Sequence, residues 1–118
     1  SNHYLQIIKD PALEDLYIAC ILPAVQDLLR MEGIDLHQVN KVFPPQISPG
    51  FISKLSDALN LPPERFINVV GEGADLFSSS IPYALAHAWK NELVKNGDTG
   101  LIIAVGSGIQ VGCSIYHF

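Results

Sequence analysis

Asn96-Gly97-Asp98-Thr99-Gly100 is followed by Leu101-Ile102-Ile103-Ala104-Val105, then Gly106-Ser107-Gly108-Ile109, then Gln110-Val111-Gly112-Cys113-Ser114-Ile115-Tyr116. The first five residues are turn formers, because Asn, Asp and Gly tolerate left-handed backbone and make local hydrogen bonds. The two apolar, β-branched runs that follow read as strands over 101–105 and 110–116. With only the short loop Gly106-Ser107-Gly108 between them, they form an antiparallel hairpin. The glycines fall where the backbone turns sharply or comes close to a ligand. A glycine run of this kind serves phosphate binding only when it opens a helix. Here a β-branched strand follows, and nucleotide binding is set aside.

Upstream, helical and extended segments alternate. Asp10-Pro11 starts a helix, with Asp10 as N-cap and Pro11 at the first helical position. Leu13, Leu16, Tyr17, Cys20, Ile21, Ala24, Val25, Leu28 and Leu29 give it a wide apolar face, and it ends before Gly33. Val39 to Phe43 reads as a short strand stopped by Pro44-Pro45. Ser48-Pro49 caps a second helix that turns Phe51, Ile52, Leu55 and Leu59 inward. Leu61-Pro62-Pro63-Glu64 is a turn, and Phe66 to Val70 reads as a strand. After the loop Gly71-Glu72-Gly73-Ala74-Asp75, a third helix starts among Ser78, Ser79 and Ser80 and runs to about Lys95. Ile81, Leu85, Ala88 and Trp89 share one stripe of it. The order α-β-α-β-α-β-β predicts an α/β fold with a mixed sheet that ends in an antiparallel pair.

Hydrophobic residues make up 48% of the 118 residues and charged residues 16%, against about 25% charged in ordinary soluble domains. This excludes intrinsic disorder and implies apolar surface that expects a partner. The net charge of −5 and an isoelectric point near 5.1, with no basic run, argue against nucleic acid. No apolar run, Leu101 to Val105 included, is long enough to span a bilayer. No signal peptide is read at the N-terminus, and Ser1-Asn2 reads as a tag remnant. Cys20 and Cys113 lie far apart without metal-ligand spacing, and His3, His37, His87 and His117 are scattered. The expectation is two buried, reduced thiols in a cytoplasmic protein that has no metal. Ser78-Ser79-Ser80 lacks a nucleophile elbow and serves as a helix cap. Glu72 and Asp75 are either paired carboxylates or a solvated loop.

The stretch from Gly33 to Phe118 resembles the C-terminal half of a 3-oxoacyl-[acyl-carrier-protein] synthase III, in the condensing-enzyme branch of the thiolase-like fold. The family pattern V-P-H-Q-A-N is matched by Phe43-Pro44-Pro45-Gln46-Ile47-Ser48, before a helix containing Ser53-Lys54-Leu55 and ending in Ala58-Leu59. The pattern G-N-T-S-A-A-S-[IV]-P is matched by Ala74-Asp75-Leu76-Phe77-Ser78-Ser79-Ser80-Ile81-Pro82. The pattern G-G-G-x-x-W-G is matched by Gly106-Ser107-Gly108-Ile109-Gln110-Val111-Gly112. The three blocks fall into register without a gap. His37-Gln38-Val39-Asn40 imitates the first block, but sliding it into place would add eight residues before the glycine loop, so His37 is read as an exposed loop residue.

The resemblance implies a thiolase-like half, residues 3–118, whose partner is the N-terminal half of the same full-length protein. It also implies that a cysteine nucleophile in that other half takes an acyl group from coenzyme A, with no other cofactor. The family His and Asn then assist decarboxylation of a malonyl-carrier protein as donors to a developing oxyanion. Here the His position is Pro45, which has neither a side-chain donor nor a backbone N–H. The Asn position is Asp75, which as a carboxylate accepts only. Gly106, Ser107 and Gly108 are the expected substrate-binding residues. Two functions stay open. In one, the full-length protein transfers acyl groups between thioesters and an acceptor, with Asp75 as base, a coenzyme A or acyl-carrier-protein thioester as substrate and the isolated fragment inactive. In the other, it is a non-catalytic subunit or acyl-binding module. Either version is expected to self-associate in the cytoplasm, away from membranes.

Overall fold

The alternating faces of the strands decide the layers. β1 (Lys41–Phe43) pairs in parallel with β2 (Thr99–Gly106), so that Val42 faces Leu101 and Phe43 faces Ile102. β2 pairs antiparallel with β3 (Gln110–His117) from Thr99↔His117 to Gly106↔Gln110. The sheet order is β1-β2-β3. The computed structural model describes residues 11–45, 48–68, 80–106 and 108–118. Asn40 sets the start of the parallel pairing: its N–H donates to the Thr99 carbonyl at 2.9 Å, and its Oδ1 accepts from the Thr99 N–H at 2.8 Å.

Leu101 and Ile103 of β2 and Val42 of β1 point to one face, where α1 (Pro11–Glu32) and α2 (Pro49–Leu59) lie. Tyr17, Ile21 and Val25 of α1 and Phe51, Ile52, Leu55 and Leu59 of α2 complete that core. Phe43 points to the other face and packs with Ile67 and with Ala84 and Ala88 of α3 (Ser80–Lys90). The result is an α/β/α arrangement with a mixed sheet, as the sequence predicts. α1 carries Pro23 in its middle. This residue is exposed, so the backbone bond it cannot donate is lost on the solvent side, where water replaces it. Among the described residues no helix is long and apolar enough to cross a membrane.

The three described α-helices stop in a similar way. A left-handed residue follows each end, directly at Gly33 (φ 68°) and Asn60 (φ 56°) and two residues on at Glu92 (φ 58°). The next N–H reaches back five residues: Ile34 to Leu29, Leu61 to Ser56 and Leu93 to Ala88, at 3.1, 3.2 and 2.9 Å. This closure satisfies carbonyls that the last turn leaves free.

Several boundaries differ from the sequence reading. α3 ends at Lys90 rather than near Lys95, because Glu92 adopts a left-handed conformation that its residue type does not advertise. Its buried stripe is Ala84 and Ala88, with Leu85 half-buried, whereas Trp89 is largely exposed and meets the Phe118 ring edge-on at 5.5 Å. Val39 caps a 3-10 turn over Leu36–Gln38 instead of opening β1, which begins at Lys41. The strand expected over 66–70 is reduced, within the described residues, to a bridge between Phe66 and Val42. Asp10, Val69, Val70, the loop 71–75, Ser78 and Ser79 lie outside the described residues.

The antiparallel pairing runs on past β3 to Phe118. The Phe118 N–H donates to the Asp98 carbonyl at 3.0 Å, and the Phe118 carbonyl accepts from Gly97 N–H at 2.8 Å. This places the Phe118 ring over Gly100, where an added Cβ would lie 2.9 Å from Phe118 Cε2 and 3.1 Å from Phe43 Cε1. Phe43 is fully buried and cannot give way. Gly100→Ala is therefore expected to destabilise the chain by about 1–3 kcal/mol. It should also change Trp89 fluorescence through the displaced Phe118 ring, both effects being read in one denaturant titration.

Candidate functional site

Because β1 and β2 are parallel, their carboxyl ends open on the same edge of the sheet, the edge where open α/β sheets hold ligands. Pro44 and Pro45 leave β1 there, both buried. Gly106 ends β2 at the same edge, four residues beyond Ile102, which faces Phe43. Gly108 follows with φ 74° and Ile109 with φ 58°. Of the predicted site residues, Pro45, Gly106 and Gly108 thus gather at one edge. Asp75 and Ser107 lie outside the described residues, as do Gln46 and Ile47.

Two polar side chains near the start of α1 reach this edge. Tyr17, 1% exposed, donates from its hydroxyl to the Gly106 carbonyl at 2.6 Å. Glu14, one turn earlier and 5% exposed, accepts from Ser48 Oγ at 3.3 Å, toward the long end of hydrogen bonding. Ser48 Oγ also accepts from the Phe51 N–H at 3.0 Å and so caps α2. Lys54, one turn into α2, lies 3.5 Å from Glu14 Oε1 and 3.2 Å from Asp15 Oδ1. The hydrogen bond to Asp15, more than the surrounding charge, raises the Lys54 ammonium above the ordinary lysine range. Neither Glu14 nor Tyr17 was singled out as a site residue from the sequence. The available signal was their spacing, because Glu14 stands in step with the buried stripe Tyr17, Ile21 and Val25.

The cysteines divide. Cys113 is half-buried, its Sγ points to the Ala24 carbonyl at 3.4 Å, and burial, with Asp27 nearby, pushes its thiol up. A protonated thiol is a poor nucleophile. Cys20 corrects the expectation of burial: it is exposed, because the inward stripe of α1 runs through Tyr17, Ile21 and Val25. The neighbouring apolar row of Leu16 and Cys20 faces outward. His37 is exposed in its 3-10 turn. Among the described residues no three His, Cys, Asp or Glu side chains gather as a metal site requires.

Residues 29–118 match the model of the family described as 3-oxoacyl-[acyl-carrier-protein (ACP)] synthase III C terminal. The beta-ketoacyl-[acyl-carrier-protein] synthase III of Aquifex aeolicus is 33% identical over 94 residues, 79% of this chain and 30% of that protein. The Rickettsia typhi protein of the same name is 29% identical over 101 residues, 86% of this chain and 32% of that protein. The crystal structure of 3-oxoacyl-(acyl carrier protein) synthase III from Pseudomonas aeruginosa superposes with a TM-score of 0.84 at 22% identity, covering 91% of this chain and 34% of that one. The fold is thus thiolase-like, and the chain spans about a third of the length of the relatives it matches.

The ties on α1 generate two expectations. Glu14→Ala leaves the Ser48 hydroxyl proton without its acceptor in a largely buried place and should cost about 1–3 kcal/mol. Asp15→Ala, at an exposed end of the same cluster, should cost about 1 kcal/mol or less. The pH dependence follows from Lys54. A lysine raised in the folded state lends its stability below its unfolded pKa and loses it as pH climbs through the folded value. Thermal melts across alkaline pH should show a steeper loss for the unmodified chain than for Lys54→Met.

Proposed function

The chain belongs to the 3-oxoacyl-[acyl-carrier-protein] synthase III C-terminal family, and from that premise we propose that it is the C-terminal domain, residues 3–118, of an acyltransferase acting on acyl thioesters in fatty-acid or secondary-metabolite synthesis. The observation that supports this reading is that β1, leading into Pro44-Pro45, and β2, ending at Gly106, run parallel and so open toward the same carboxyl edge. These are the positions to which the sequence resemblance assigns substrate chemistry. The thioester is that of coenzyme A or of an acyl-carrier protein.

The nucleophile comes from elsewhere in the full-length protein. Cys113 is half-buried, with its thiol pushed up, and Cys20 lies on the outer side of α1, away from the edge. The isolated chain is therefore inactive, and its partner is the N-terminal half of the same protein. Self-association and a cytoplasmic setting complete the reading. In this reading Asp75 acts as a general base on the acceptor.

One observation favours a second reading, a non-catalytic subunit or acyl-binding module. Pro45 is buried at the edge and has neither a side-chain donor nor an N–H to offer an oxyanion. Intact mass of the full-length protein after incubation with acyl-coenzyme A thioesters separates the two. A stable acyl adduct on a cysteine is expected for the transferase. A folded protein with no adduct across several chain lengths would favour a binding or structural member instead. In the transferase, Asp75→Ala should lower acyl transfer by ~10²-fold or more, and unchanged turnover would remove Asp75 from the mechanism.

A further inference from the structure

We propose that Tyr17 is a positioning residue for the glycine turn: its hydroxyl fixes the peptide unit that opens the turn at Gly106, and so sets the backbone that the turn offers to a bound acyl thioester. The proposal deepens the transferase reading and rests on it for the identity of the ligand.

A tyrosine buried to 1% exposure needs a hydrogen-bond partner for its hydroxyl. The partner here is the Gly106 carbonyl at 2.6 Å, 89 residues away in sequence. A phenylalanine would fill the same space between α1 and the sheet, so the hydroxyl adds nothing to packing. What it adds is a fixed direction for one carbonyl at the last paired residue of β2. Since a peptide unit is planar, holding its oxygen holds the plane, and with it the direction in which the chain leaves the strand.

Just beyond that plane the backbone is under strain. Gly108 adopts φ 74° without cost, but Ile109 adopts φ 58°, a region that β-branched residues avoid. Such a conformation persists only where its surroundings over-determine it. Here the surroundings are the Gly106↔Gln110 pair, the packing of Ile109 against the core under α1 and the Tyr17 bond. The hydroxyl thus stiffens one side of a turn that has reason to relax. It acts at the same edge where Glu14, from the same helix, holds the cap of α2. Two loops at the carboxyl edge are fastened to one helix.

Tyr17→Phe tests this, with Ile21→Val as a control that loosens the same buried stripe without touching a polar group. In the chain itself, Tyr17→Phe is expected to raise amide exchange over residues 108–112 about tenfold relative to α2, whereas Ile21→Val raises exchange evenly. In the full-length protein, Tyr17→Phe is expected to lower kcat about tenfold with KM for the acyl-coenzyme A little changed, while Ile21→Val leaves kcat alone. Unchanged hairpin exchange, or an unchanged kcat in an active protein, overturns the proposal. If the unmodified full-length protein shows neither turnover nor an acyl adduct, the transferase reading fails on its own. The exchange result alone then decides whether Tyr17 holds the turn: selective release of 108–112 upholds it, and an even or absent change overturns it.

Discussion

The register between β1 and β2 is the constraint on which the rest of the chain depends. β1 is only three residues long, yet its pairing decides which side chains meet which helices. Val42 and Leu101 go to the α1/α2 face, and Phe43 and Ile102 go toward α3. A slip of one residue would exchange those faces and bring Phe43 under α2. The Asn40 side chain prevents it by completing a two-bond clamp with Thr99 before the strands begin. With the register set, the carboxyl ends of the two strands necessarily open together, and the Pro44-Pro45 run and the glycine turn become neighbours on one edge.

α1 converts that arrangement into a rigid one. Its buried stripe is apolar at Ile21 and Val25 and polar-tipped at Tyr17 and Glu14. The polar tips fall at the end of the helix nearest the carboxyl edge. The two contacts differ in strength for physical reasons. Tyr17 makes a short bond from a side chain that is itself buried, to a part-buried carbonyl. Glu14 shares its carboxylate between a long hydroxyl contact and a lysine that also serves the exposed Asp15. The Lys54–Asp15 contact, open to solvent, is worth little to stability. The firmer anchor is therefore on the glycine turn, and the looser one on the loop that leads from Pro45 to α2.

How much of this was legible in the sequence depends on the range of the interaction concerned. The β2–β3 hairpin and the cap at Ser48 are set by adjacent residues, and both were read correctly. The inward set of α2 follows a helical period over eleven residues and was also legible. The end of α3 was not, because a left-handed Glu92 is held by backbone bonds to Trp89 and Ala88 rather than by a glycine that announces it. The apolar face of α1 was read too wide for a related reason. Periodicity gives the direction of a stripe but not how much of it a neighbour covers: Leu13, Tyr17, Ile21, Val25, Leu28 and Leu29 pack on the core, while Leu16 and Cys20 face outward. The Tyr17 bond to Gly106 spans 89 residues, and no local pattern encodes a contact at that separation. Of the candidate site, the strand ends were legible through motif register, while the side chains that hold them in place were not.

The framework and the chemistry of the edge have separate physical requirements, and this chain keeps the first more fully than the second. A turn that can pass close to a ligand needs small residues, as Gly106 and Gly108 are, and positive φ, which Gly108 supplies. A loop that leaves β1 cleanly needs a restricted backbone, and Pro44-Pro45 supplies that more strongly than histidine would, because proline fixes its own φ and holds the preceding residue extended. What Pro45 gives up is donor capacity, and burial at the edge means that water cannot easily replace it. Pro45 therefore shapes the path out of β1 without offering a hydrogen to a developing negative charge. Fold alone does not establish chemistry; here it fixes where the ends of two parallel strands open and ties one of them to a helix through the Tyr17–Gly106 bond.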